Sequence, residues 1–471
     1  MGDFKELEQL VVGDAYVSDE ARKNLEVLCE MGSRFGGTPS EKKAVDYILK
    51  KFKEYDLENV HAVEFGYNGW IRGEAKLEIV EPKYIEMSAL SLVYSPSTSF
   101  KGVEGEIVNL GEGSVDAFNK KKDEIPGKIV LSFETGGRTP TGMKRTIHRK
   151  EKYNRSADAG AVAFIFGNPV PGLLATTGSC CQNRAGDIPS IGICKEYAET
   201  IIRLMDEGPV RARVTTTDQI KPMTSWVPSG DIPGTEKPDE VVVIGAHFDG
   251  HSISQGAVDD ASGTIVVMDI ARVLAKQKGK FKRTIRFLCF PLEESGLIGS
   301  IAYIQTHEKN MNNVQLMINL DSAGGGRPGS WRVSGHEELI PFLSNVTKET
   351  GYAMKAYEDL SGYSDHFPFF LMGAPSISLG RPLDQPPGLG RGLSHTLADT
   401  FDKVNFKDVK EATMVVARLV MRAANYPGRL AKHKSWEEVK KILEECELFE
   451  VMQIEHRWPY PPLQLKEYPW R

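Results

Sequence analysis

Apolar runs that stop just short of acidic or histidine-bearing positions set the pattern of this chain. Val241-Val242-Val243-Ile244 ends before His247, Thr284-Ile285-Arg286-Phe287-Leu288-Cys289-Phe290 before Glu293, and Val314-Gln315-Leu316-Met317-Ile318 before Asp321. Short runs rich in branched and aromatic residues predict buried strands. Helical patterns over 262–275 and 296–307 lie between them, and strand–helix–strand alternation implies right-handed crossovers and a mostly parallel sheet. In open α/β sheets ligands collect outside the carboxyl ends of the strands. The three polar groups therefore point to one site.

Elsewhere the patterning divides the chain further. Thr38-Pro39-Ser40-Glu41 predicts a helix start, with Thr38 as N-cap, Pro39 at the first helical position and Glu41 closing a capping box. Ala44, Val45, Ile48, Leu49 and Phe52 then form its apolar face. The preceding Gly32-Ser33-Arg34-Phe35-Gly36-Gly37 reads as a simple loop between helices. After about residue 85 short glycine-punctuated strands and a helix over 194–205 predict a separate small α/β or β-rich unit. The segment 221–237, rich in Pro, Gly, Ser and Thr, predicts a return linker. A last amphipathic helix carries Trp436, Val439, Leu443 and Cys446. The proline-rich aromatic tail from Trp458 onward is expected to pack on a neighbouring surface, such as that of a second subunit in a homodimer.

Size and charge narrow the class. At 471 residues the chain exceeds the roughly 250 to 300 at which single cores stop growing. The expected division is 1–85 and 223–430 for a main domain, 86–222 for an insert, and 431–471 for a C-terminal helix and tail. The formal charge of −6 gives no reason to expect nucleic acid or an anionic membrane as partner. Acidic residues scattered through Met1–Glu20 leave no visible export signal, and no apolar run approaches the ~20 residues of a membrane helix, so a cytoplasmic protein is expected. The six cysteines form no disulfide framework, and the vicinal Cys180-Cys181 pair has no partner at metal-binding spacing.

The candidate chemistry is metal-assisted hydrolysis. His247-x-Asp249, Asp259-Asp260-Ala261-Ser262-Gly263, Glu293-Glu294, Asp321 and His395-Thr396 supply imidazole nitrogens and carboxylate oxygens, donors suited to zinc and similar divalent ions. Asp259, ahead of a helix start with Ser262 and Gly263 giving a turn and cap, is the natural carboxylate to bridge two ions. Adjacent Glu293 and Glu294 face different directions, so one can bind metal while the other, Glu293, serves as general base. Asp249, two residues beyond His247, is placed to hold the imidazole from behind. His251, His307, His336, His61 and His148 are expected to be solvated or structural. His366 is expected to be a helix cap or a substrate contact.

Taken in order, these motifs resemble the dinuclear zinc exopeptidases that include bacterial leucyl aminopeptidases and glutamate carboxypeptidases. The similarity runs from Arg34 to about Pro427 and extends to Ser364-Asp365-His366-x-Pro368-Phe369 and His395-Thr396-x-x-Asp399-Thr400. It implies the zinc exopeptidase fold, a mostly parallel mixed sheet flanked by helices, with a smaller β-rich protease-associated domain inserted. It also implies two Zn2+ ions, for which Co2+ or Mn2+ would substitute, one held by His247, Asp321 and Asp259 and the other by Asp259, Glu294 and His395. Glu293 would be the base and a peptide the substrate, most simply an aminopeptidase's. A carboxypeptidase or dipeptidase is the alternative, also suggested by Trp70-Ile71-Arg72-Gly73-Glu74-Ala75, and a non-catalytic peptide-binding protein the remote one. Some members place a tyrosine before the last histidine as oxyanion donor. Here that residue is Ser394, and Tyr363 is the candidate replacement. Arg381 and Arg391 are candidates for gripping a substrate carboxylate, and Asp365 for meeting an amine or capping a helix.

Overall fold

The structure, a computed structural model, describes residues 4–133, 147–382 and 392–457. Its main sheet has eight strands in the order Glu58–Ile71, Gln219–Ile232, Arg283–Phe290, Lys237–His247, Val314–Asn319, Ser376–Gly380, Ser330–Val333, Lys355–Glu358. The strand pairs from Arg283–Phe290 through Ser376–Gly380 are parallel, and the antiparallel pairs lie outside them. Val314–Asn319 is buried at every position, as expected of strands covered on both faces. Register aligns His247 with Phe290 and Gly245 with Asn319. Three strands thus end level, and the residues just past them enter one space.

The helix Ser262–Ala275 is buried along all 14 residues. A helix apolar all round is a core element, and this one sits between the sheet and the helices Lys5–Val17, Glu20–Glu30 and Phe406–Ala424. Its charged residues are paired: Arg272 bonds Asp269 at 2.8 Å and Asp14 at 2.6 Å. Among the described residues no helix is long and apolar enough to cross a membrane.

A second eight-stranded sheet runs Ile85–Ser88, Ala75–Glu81, Arg211–Thr216, Val103–Asn109, Ile129–Phe133, Ala163–Gly167, Ser190–Ile193, Leu90–Ser91. Its four strands from Val103–Asn109 to Ser190–Ile193 are parallel, with helices Val115–Lys121, Arg149–Asp158 and Lys195–Glu207 on the connections. This sheet starts at Ala75, within the stretch that the sequence pattern assigned to the N-terminal part of the main domain.

The segment 221–237 is not a linker. Most of it belongs to the long strand Gln219–Ile232, paired antiparallel with Glu58–Ile71. Pro222 and Pro228 lie outside Ser229–Ile232, the stretch that pairs with Arg283–Phe290, so a missing N–H costs no ladder bond on that edge. Loop-like composition concealed a strand. The Thr38 cap forms, with its hydroxyl accepting from the Glu41 N–H, but the Glu41 carboxylate takes the Gly37 N–H at 2.6 Å and the Ser225 hydroxyl instead of closing the box. Past Trp436–Glu445 the chain forms a further helix, Leu448–Ile454, that the pattern did not predict. The tail from Trp458 and Arg391 lie outside the described residues.

Candidate metal centre and active site

His247 ends its strand buried, and its Nδ1 lies 3.0 Å from the Asp249 carbonyl oxygen and 3.4 Å from the Asp249 carboxylate. Asp249 does more than back the imidazole. Its two carboxylate oxygens accept the backbone N–H groups of Glu293 at 3.2 Å and Glu294 at 3.3 Å, tying one strand end to the next.

Asp259 and Asp260 sit in the turn Ala257–Ala261 that feeds the buried helix. Asp260 Oδ1 accepts from the N–H of Gly263 and of Ser322, both at 2.8 Å. The helix start is therefore held by Asp260, while the Ser262 hydroxyl donates to the Val258 carbonyl. Asp399, from the segment after His395, accepts the N–H groups of Val258 at 2.8 Å and Asp259 at 3.1 Å. The backbone carrying Asp259 is fixed from two sides.

The side chains converge. Asp259 Oδ1 is 3.4 Å from His247 Nε2, and its Oδ2 is 3.3 Å from His395 Nε2, so one oxygen faces each imidazole. Glu294 Oε2 is 3.4 Å from His395 Nε2. Donors arranged tetrahedrally at zinc–nitrogen and zinc–oxygen bond lengths stand about 3.3 Å apart. His251, Glu294 and His395 form one group able to hold an ion, and His247, Asp260 and Asp321 another. Asp260 Oδ2 and Glu294 Oε1 are buried without a hydrogen-bond partner, a costly state unless a cation satisfies them. The residues fit divalent ions.

Electrostatics agree. Burial raises the Glu293 pKa well above the ordinary value, and Glu294 and Asp321 add to it. Burial likewise lifts Asp260, with Asp321 and Asp259 contributing. Burial opposes charge on Glu294 too, yet His251 and His395 bring it down to about 2. Burial would also lower His247, but Glu293, Asp249 and Asp259 raise it well above its usual range. Acids packed this densely call for compensating positive charge.

The Peptidase family M28 profile matches residues 229–420, the span of these ligands, and the PA domain profile matches 93–201 in the second sheet. Residues 229–420 form a peptidase family M28 domain. It is similar to carboxypeptidase Q of Mus musculus, 28% identical over 67% of both chains, and to aminopeptidase YwaD of Bacillus subtilis, 27% identical over 83% of this chain and 82% of that one. Among solved structures it resembles a peptidase M28 precursor from Shewanella amazonensis, with TM-score 0.76, 25% identity and coverage of 91% of this chain and 98% of that one. A zinc aminopeptidase from Bacillus subtilis shares the fold, with TM-score 0.65 at 24% identity, covering 89% and 98%. The M28 chain is a metallo-exopeptidase carrying a PA domain.

Three expectations change. Tyr363 is not a spare oxyanion donor, because its hydroxyl donates to Glu455 Oε1 at 2.7 Å and its ring stacks on His148 at 3.7 Å. Ser394 Oγ, by contrast, is buried with no hydrogen-bond partner. Asp365 precedes the helix His366–Leu371 without capping it, and burial lifts its pKa to about 7. His251 is not solvated: it is buried with Nε2 2.9 Å from Glu294 Oε2 and its ring centre 4.4 Å from that of His395.

The loop 32–37 of this M28 peptidase also does more than connect helices. Arg34 is fully buried, and its guanidinium donates to the carbonyls of Phe248 at 2.7 Å, Gln255 at 2.5 Å, Gly256 at 2.8 Å and Gly32 at 2.5 Å. It closes the base of the loop between His247 and Asp259. The PA domain braces the other side: Thr177 N–H donates to the His395 carbonyl at 3.0 Å. Positive φ at the non-glycine residues Arg34, Leu292, Ser322 and His395 marks backbone held in sparsely populated conformations on these loops. Arg34→Ala is expected to leave several buried carbonyls unpaired and to cost roughly 3 kcal/mol or more. Thermal unfolding of the chelated and metal-loaded forms checks this, and an unchanged Tm in both would refute the clamp.

Proposed function

We propose that this M28 peptidase is an aminopeptidase that removes amino-terminal residues from peptides with two zinc ions. His247, Asp321 and Asp259 would hold one ion, and Asp259, Glu294 and His395 the other. The observation that carries this reading is the Asp259 carboxylate, which turns one oxygen to His247 and the other to His395. Two divalent ions held there would lower the pKa of a water toward ~7 and polarise the scissile carbonyl. Co2+ or Mn2+ would accept the same donors.

The chain's own groups supply the rest. Glu293, its backbone N–H fixed by Asp249, accepts the proton of the attacking water and returns it to the leaving amine. A raised carboxyl pKa suits a group that must both take and give a proton near neutral pH. The Ser394 hydroxyl, unpartnered beside His395, is placed to donate to the developing oxyanion. The Asp365 carboxylate, left over from ion binding and close enough to act on Glu293, favours a cationic substrate amine. The complete donor set together with a base argues against a non-catalytic peptide binder.

One observation favours carboxypeptidase or dipeptidase action as the second reading. The PA-domain helix Arg149–Asp158 begins with buried Arg149 and Lys150, whose charges act on His395 and Glu293. Such cations would receive a substrate carboxylate. A panel of peptides with free or blocked termini, assayed with and without chelator, separates the readings. Cleavage should stop with chelator and with a blocked amino terminus. Cleavage that survives amino blocking but stops when the carboxylate is blocked would replace aminopeptidase by carboxypeptidase.

A further inference from the structure

His251 lies outside the ligand set that the motifs supply, yet the fold delivers it to the same place. The loop carrying it is pinched shut where Gly250 and Gly256 meet: a Cβ on Gly250 would come within 2.7 Å of the Gly256 Cα. Arg34 holds the far end of that loop through the Gln255 and Gly256 carbonyls. Arg72 reaches over from the sheet side and donates to the Ser252 hydroxyl at 2.8 Å. Phe35 packs near the imidazole, with ring centres 6.4 Å apart. This much fixing is wasted on a surface histidine.

The residue is 2% exposed. Its Nε2 stands 2.9 Å from Glu294 Oε2, and its Nδ1 is buried without a hydrogen-bond partner. A buried imidazole nitrogen without a partner is costly. One His251 nitrogen, a Glu294 carboxylate oxygen and a His395 nitrogen lie close enough together to share one ion. The His251 and His395 rings meet edge to face at 78°, so the two imidazoles approach a common point from different directions.

We infer that His251 is an additional protein ligand to the ion held by Glu294 and His395. The inference rests on the two-ion reading given above and makes the two positions unequal. With Asp259 included, the His251 position has two nitrogen and two oxygen donors from the protein, a complete tetrahedral set of the kind that retains zinc firmly. The His247 position is richer in oxygen and keeps room for water or substrate. The His251 position therefore fills first and releases its ion last, and the other is the one that harder ions such as Mn2+ enter more readily.

The test is to load the full chain with Co2+ and count the solvent-exchangeable, hyperfine-shifted imidazole N–H signals in its proton NMR spectrum. Direct ligation gives three, from His247, His395 and His251, and His251→Asn removes one. The same variant should lose one ion per chain to a chromophoric chelator at least about 100-fold more readily, beyond what loss of a hydrogen bond to a ligand usually produces. Two ions per wild-type chain with only two such signals would overturn the assignment of His251 and leave the two-ion site standing. Fewer than two ions in the fully loaded wild type would overturn the two-ion reading itself. The count is made on the wild type, so it decides the matter even where the variant folds poorly.

Discussion

Glu293→Gln is expected to keep its full metal content while losing turnover by about 10³-fold, the middle of the range for a positioned acid–base group. Gln matches Glu in shape, and the contacts that fix this residue's backbone, the Asp249 carboxylate on its N–H and the turn to Gly296 and Leu297 through its carbonyl, do not involve its side chain. The substitution also removes a carboxylate that burial and neighbouring acids already disfavour in charged form, so folding should not suffer. The loss should fall on kcat and not on KM, because a proton acceptor acts in the transition state and not in binding. Metal analysis beside steady-state kinetics checks both halves. Activity within tenfold of wild type at unchanged metal content would remove Glu293 as the base.

Much of this centre is legible in the sequence because its donors follow apolar strands that must be buried. The strands before His247, Glu293 and Asp321 are short and almost purely apolar, and parallel strands covered on both faces have to be. What lay hidden depends on contacts between segments far apart in the chain. Arg34 looks like any loop arginine until its partners, more than 200 positions away, come into view. His251 lacks an apolar run directly before it, and only the pinched glycine pair brings its ring back to Glu294. Asp399 fixes the backbone of Asp259 across 140 positions. The Gln219–Ile232 strand escaped because its prolines and small polar residues are tolerated only through pairing with Glu58–Ile71. Local composition reports burial well and remote partners poorly.

The second large effect is expected at Asp259. If its two oxygens serve different ions, Asp259→Ala removes one donor from each position, and the positions should not respond alike. The position of His251, Glu294 and His395 keeps three donors, enough for zinc with water completing the set. The position of His247 keeps Asp321 and, at 4.0 Å from the imidazole, Asp260 Oδ2, an oxygen whose sister atom is already committed to Gly263 and Ser322. That weaker set should lose its ion first. Metal content is then expected to fall from two ions per chain to one, and kcat/KM to drop by roughly 10³-fold or more, since one ion's share of charge stabilisation is several kcal/mol and each 1.36 kcal/mol is tenfold in rate. Asp259→Asn, which keeps the shape and one acceptor oxygen, should fall between the two. Added Zn2+ ought to restore Asn more than Ala, because the missing element is a donor atom and not the fold. Elemental analysis with kinetics at graded metal concentration reads all of this, and two tightly held ions in the Ala variant with activity near wild type would show that the ions do not share this carboxylate.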